Sequence, residues 1–146
     1  MAKKFSFSKN PGMVLTATFV LMYIINALVL YVANMLLPQQ VVLGTMTLTP
    51  TWAIILSMSA LSVFLTLLVP FAHEAERILD RDLSMPEWMG FYLALNFAGI
   101  WLISRFSEQF GLGVSSWIVA LALAAVMNTL QGVAMMQFEK FRKANA

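Results

Sequence analysis

The sequence contains no cysteine, so disulfides, thiolate metal sites and a cysteine nucleophile are excluded. Histidine occurs once, at position 73, and only 11% of the 146 residues are charged. Soluble domains carry about 25%. Residues 10–72 hold no formal charge at all, a run roughly three times the ~20 residues that cross a bilayer as a helix. That run must contain more than one span. What fills the chain instead is 60% hydrophobic residues at a mean hydropathy of +0.80. The expected class is an all-α integral membrane protein.

Charge returns in one island, residues 73–87, which holds Glu74, Glu76, Arg77, Asp80, Arg81, Asp82 and Glu87. The chain therefore reads as hairpin, island, hairpin, with spans at about 13–37, 52–72, 88–104 and 116–138. The first span follows the breakers Pro11 and Gly12 and stops before Pro38, which cannot continue a helix. Its length exceeds the ~7–15 residues of a cleaved signal core, so it is expected to stay as an anchor. The charge-free, β-branched stretch 38–51 reads as an extended loop or small hairpin at the membrane surface. Trp52 opens span two, which Pro70 is expected to kink and which continues into water through the island. Ser84-Met85-Pro86-Glu87 has the form of a capping box with Pro in the first turn. Arg105 ends span three by snorkelling, and Gly111 and Gly113 break the turn before span four.

Four spans put both termini and the island on one side. That side carries Lys3, Lys4, Lys9, Arg77, Arg81, Lys140, Arg142 and Lys143, and the other carries only Arg105. The positive-inside rule makes the crowded side cytoplasmic. The basic ends then suit anionic lipid headgroups better than nucleic acid. The two hairpins also align, Tyr23, Asn26, Tyr31, Leu43-Gly44 and Trp52 against Tyr92, Asn96, Trp101, Leu112-Gly113 and Trp117. Such a repeat would be parallel, about an axis along the membrane normal. Recurring interfacial aromatics and loop glycines are the plainer account of the same match.

Polar side chains inside spans need partners, so Asn26, Asn34, Asn96, Asn128 and Gln131 are expected to face protein as packing glue or, in the sharper reading, to line a solute pathway. No Asp, Glu, Lys or Arg sits deep in a span, which speaks against proton coupling. Ala120, Ala124, Asn128 and Gly132 recur every fourth residue and form a narrow stripe suited to close helix approach. His73, Glu74, Glu76, Arg77, Asp80 and Arg81 make the best cytoplasmic docking surface. One histidine with two carboxylates from a single segment is a poor metal set, and the eleven methionines form no Met-x-x-Met array. Ser57, Ser59, Ser62, Ser115 and Ser116 have no base within reach in the sequence. No cofactor and no enzymatic activity are expected.

The run Asn26-Ala27-Leu28-Val29-Leu30, the apolar stretch to Leu37-Pro38, the β-branched loop ending near Gly44 and the apolar helix after it resemble a hairpin of the small four-span bacterial proteins called phage-holin-like. The match covers about a third of the chain. It implies a bacterial inner-membrane protein, without establishing pore formation. The charged island departs from that family's Pro-punctuated centre. Three functions follow for test: a non-enzymatic membrane protein acting by helix association, with itself or as an accessory subunit of a larger complex; a small channel or transporter built from paired hairpins; and a holin-like pore former.

Overall fold

The computed structural model describes residues 11–144, and the basic cluster Lys3, Lys4 and Lys9 lies outside them. The described chain is mostly helical, with five helices and two short strands in the order α1 (Pro11–Leu36), β1 (Val41–Leu43), α2 (Pro50–Leu79), α3 (Met85–Arg105), α4 (Ser107–Phe110), β2 (Leu112–Val114) and α5 (Trp117–Ala144). Three helices are long and apolar enough to cross a membrane, Gly12–Leu36, Pro50–Leu79 and Trp117–Ala144. Helix α3 is shorter and less apolar, because Glu87, Asn96, Ser104 and Arg105 dilute its 21 residues.

The helix ends follow from local chemistry. Thr49 caps α2 by accepting from the Trp52 N–H through its hydroxyl, with Pro50 in the first turn where its missing N–H leaves nothing unpaired. The other end of α2 stops at Asp80, which adopts a left-handed conformation (φ 51°), one of the few non-glycine types that does so readily. The expected run of helix through Arg81 therefore ends two residues early. Pro70 sits inside α2 without dividing it. At α3, Glu87 accepts the Ser84 N–H at 2.7 Å, which supplies the reciprocal half of the capping box. Arg105 lays its guanidinium over the Trp101 ring, 4.2 Å from the centroid, a cation–π contact that holds the charge at the helix end.

The 38–51 segment does not form a hairpin with itself. Its strand β1 pairs antiparallel with β2 from the other loop, in the register Val41 to Val114, Val42 to Gly113 and Leu43 to Leu112. The ladder extends by Gly44 N–H to the Gly111 carbonyl (2.8 Å) and Ser115 N–H to the Gln40 carbonyl (2.9 Å). Sequence periodicity cannot choose a partner for a three-residue strand, which is why the local hairpin looked adequate. The outer edge of β1 is closed at Val41, whose N–H donates to Leu37 and whose carbonyl accepts from Asn34 Nδ2 at 2.8 Å. An edge strand treated this way offers less backbone for stray pairing.

Helix α1 packs against α2 and α5, and α3 packs against the same two helices, so the four long helices close into a ring. Its interior is filled by Leu30, Met58, Leu61, Ile100 and Met127, with Val41 and Leu112 of the strands, all at 0% exposure. The outside is apolar: Leu28, Met35, Leu67, Phe71, Ile118 and Val126 are exposed. A soluble protein rarely presents large contiguous apolar surface. Apolar outside and packed inside is the pattern of a helix bundle in lipid.

Candidate functional site

The five amide side chains expected to seek partners do so through three separate arrangements. Asn26, Asn96 and Gln131 are buried at 1%, 0% and 6% exposure and come together from α1, α3 and α5. Asn96 Nδ2 donates to Gln131 Oε1 at 3.2 Å, and Gln131 Nε2 donates to Asn26 Oδ1 at 2.6 Å. One glutamine thus ties three helices. The relay is incomplete, because Asn96 Oδ1 is the buried side-chain oxygen among the described residues that finds no partner. Apolar side chains flank it along each helix: Leu30 lies one turn beyond Asn26, Ile100 one turn beyond Asn96 and Met127 one turn before Gln131, all buried. Asn128 is elsewhere, donating from its Nδ2 to the Met89 carbonyl at 3.1 Å, and Asn34 serves β1 as described above.

Two hydroxyls join this polar interior. Ser57, fully buried, donates to the Ala53 carbonyl within α2 and lies 3.1 Å from the Phe110 carbonyl of α4. Tyr23 reaches from α1 to the Ile55 carbonyl of α2 at 3.1 Å. Neither contact was legible in the sequence, since a serine bonding back to its own helix and a tyrosine at a helix face carry no pattern that names a distant carbonyl. Both fasten helix to helix. Among the described residues no group of three His, Cys, Asp or Glu could hold a metal ion.

The stripe on α5 divides. Ala120 and Ala124 are fully buried in the ring, whereas a Cβ added at Gly132 would meet nothing within 4 Å. A crowded glycine lies instead at Gly99 of α3, where a Cβ would collide with the Leu61 side chain and crowd Phe64 of α2.

The island is built as a clasp between α2 and α3. Glu76 accepts the Leu83 N–H at 3.0 Å and faces His73 Nδ1 at 3.0 Å. The His73 ring meets Trp88 of α3 edge-on, with centroids 5.5 Å apart. Arg81 clamps Glu87 with two hydrogen bonds of 2.9 and 2.6 Å, and Arg77 pairs with Glu74. Asp80 supplies the left-handed cap and stays exposed. The Arg81 to Glu87 pair crosses a turn, so helical i,i+4 spacing could not have found it.

These contacts set the acidity of the clasp. Arg81 first, then the Ser84 N–H, holds the Glu87 carboxyl at about 2, well below its ordinary 4.5. The Leu83 N–H and then His73 lower Glu76 in the same direction. Both carboxylates have folded-state values below their unfolded ones, so their contribution is complete above pH ~4.5 and disappears as pH falls through the lowered values. We expect the Ser84 amide resonance to stay in place from pH 7 to 4 and to move only as pH approaches 2, with Glu87→Gln abolishing the movement. A midpoint at the ordinary carboxylate value would show that the clamp does not form in solution.

This arrangement fastens helices to one another. It offers paired amides in a closed interior and a charged clasp at one end. Compared with protein-family models, curated proteins and solved structures, the chain matches none of them.

Proposed function

We propose that the chain is a four-span protein of the bacterial inner membrane, with α3 as the fourth span and the termini and the clasp in the cytoplasm. It acts without catalysis, through helix association with itself or as an accessory subunit of a larger complex. The observation that carries this reading is the relay from Asn26 through Gln131 to Asn96 inside a ring whose interior is filled by leucine, isoleucine and methionine. Polar groups spent on one another in a packed interior hold helices together; they leave the outer surface and the clasp for partners. The place of α3 in the ring, between two helices that are long and apolar enough to span, supports counting it as a span despite its diluted composition.

The two halves support a parallel repeat. Each has a long helix, a short strand and a second long helix, with α4 added in the second half; Asn26, Val29 and Leu30 are buried in α1 as Asn96, Gly99 and Ile100 are in α3. Trp52 and Trp117, both 56% exposed at the starts of α2 and α5, match as interfacial anchors. Membership of the phage-holin-like group, suggested by the residues from Asn26 to Gly44, is part of this proposal.

Topology is tested directly because the chain has no native cysteine. In intact cells, Ser84→Cys is expected to resist a membrane-impermeant thiol reagent, while Thr47→Cys and Ser115→Cys react. Labelling of Ser84→Cys from outside would overturn the orientation. The function itself is tested by purification in mild detergent: a stoichiometric second chain or a defined homo-oligomer is expected.

One observation favours a second reading, a small channel or transporter. The unpartnered Asn96 Oδ1 is an acceptor available to a passing solute if the apolar side chains beside it separate. Flux of small neutral solutes into liposomes holding the pure protein at rates above empty vesicles would select that reading over the first. Growth arrest with envelope permeabilisation on expression would select a holin-like pore instead.

A further inference from the structure

We infer that a groove between α1 and the end of α5 is a binding site for one phospholipid with an anionic headgroup. The groove has a volume of about 800 Å³ and is lined by Met13, Thr16, Ala17, Val20 and Ile24 of α1 with Phe138 of α5 as its wall. Its one hydroxyl is already spent, since Thr16 Oγ1 donates to the Gly12 carbonyl at 2.9 Å. From Gly12 to Ile24 the helix rises roughly 18 Å, close to the ~15 Å depth of one leaflet. The small side chains at Ala17 and Thr16 make the hollow. Bulk at Val20 and Ile24 floors its deeper end.

Charge decides which lipid. Gln131 bonds Asn26, and Phe138 lies against the Gly12 to Ile24 stretch, so α5 runs antiparallel to α1 and its tail comes alongside the first turns of α1. That tail carries Lys140, Arg142 and Lys143 against one carboxylate, Glu139. Arg142 and Lys143 both turn toward Glu139, which leaves a surplus of positive charge where a headgroup would sit. Arg142 is one helical turn beyond Phe138 and therefore on the face that walls the groove. Apolar length below and cationic surplus above fit a phospholipid of net negative charge and not a zwitterionic one, because each Lys or Arg near a surface adds attraction only for net negative charge.

The inference rests on the membrane reading above. The thiol-labelling experiment tests that reading without lipid specificity, so the two can fail separately. The test is native mass spectrometry of the full-length protein extracted from nanodiscs of phosphatidylglycerol or phosphatidylcholine with identical chains. Wild type is expected to retain one phosphatidylglycerol about tenfold more than phosphatidylcholine. Ala17→Trp fills the hollow and should abolish retention of both. Val32→Trp, the same bulk at an exposed position of the same helix, should leave retention unchanged and so controls for folding. Lys140→Gln with Lys143→Gln should remove only the preference for phosphatidylglycerol. Equal retention of the two lipids by wild type overturns the assignment. So does retention unaffected by Ala17→Trp, including the case where that substitution changes only the oligomer size and a second copy is the occupant. Retention that rises when residues 2–9 are removed would give the groove to the chain's own N-terminus and also overturn it.

Discussion

Gln131→Leu should destabilise the bundle by about 1–3 kcal/mol, the range for leaving buried hydrogen-bonding groups without partners. The substitution removes both amide contacts at once. Asn26 Oδ1 loses its 2.6 Å donor and Asn96 Nδ2 its 3.2 Å acceptor, and neither residue is exposed enough to turn to water. Interhelical hydrogen bonds in bilayers average only ~0.6 kcal/mol, because the separated helices also find partners within the membrane. The larger part of the effect is therefore the orphaned amides and not the lost bonds. That distinction is measurable. Asn26→Leu with Asn96→Leu added to Gln131→Leu removes every orphan, and the triple variant is expected to recover most of the loss, as apolar replacement of a whole polar network can. Unfolding by denaturing detergent in mixed micelles reads both steps. Wild-type stability in Gln131→Leu would mean that the relay does not form. A triple variant less stable than the single one would mean that the amides contribute more than each other's company.

Gly111→Ala should be as damaging, about 2–4 kcal/mol, by adding a strained backbone to a steric clash. Gly111 has φ +76°, and a Cβ there would lie 2.6 Å from the Ala53 Cβ and 3.1 Å from its Cα. The second contact is backbone, which cannot swing aside. Gly111 also gives its carbonyl to Gly44 N–H at the end of the ladder, so displacement here pulls on the strand pair that joins the two halves. Thermal stability in detergent separates the terms. Adding Ala53→Gly to Gly111→Ala relieves the Cβ collision but leaves the left-handed conformation, so recovery should be partial. Gly113→Ala, where a Cβ would meet the Val42 Cβ at an ordinary 3.7 Å, is expected to stay near wild type. Equal effects at Gly111 and Gly113 would remove this account.

The amide relay and the glycine contact mark where sequence reading reached its limit. That Asn26, Asn96 and Gln131 must face protein followed from chemistry alone, because an amide in hydrocarbon needs a partner. Which of them would meet did not follow. Asn34 and Asn128 satisfied the same rule with a strand carbonyl and a helix carbonyl, and nothing in spacing distinguishes an amide that bonds an amide from one that bonds backbone. Gly132 belongs to a regular stripe by spacing, yet the ring gives it open space while Gly99, outside any stripe, has Leu61 and Phe64 of α2 against it. Small residues permit close approach; helix crossing decides where it happens.

The sequence by itself determined that this chain is a set of long apolar helices broken by one charged island, because hydrophobic length and the scarcity of charge act locally and need no knowledge of neighbours. It also determined several ends, the Ser84 capping box and the stop before Pro38 among them, since such signals are settled within four residues. Tertiary structure alone decided the partner of β1, the closure of four helices into a ring, the meeting of Asn26, Gln131 and Asn96, and the Arg81 to Glu87 clamp. Each of these joins residues whose side chains are compatible with several partners, and only the geometry of the assembled helices leaves one of those partners within reach.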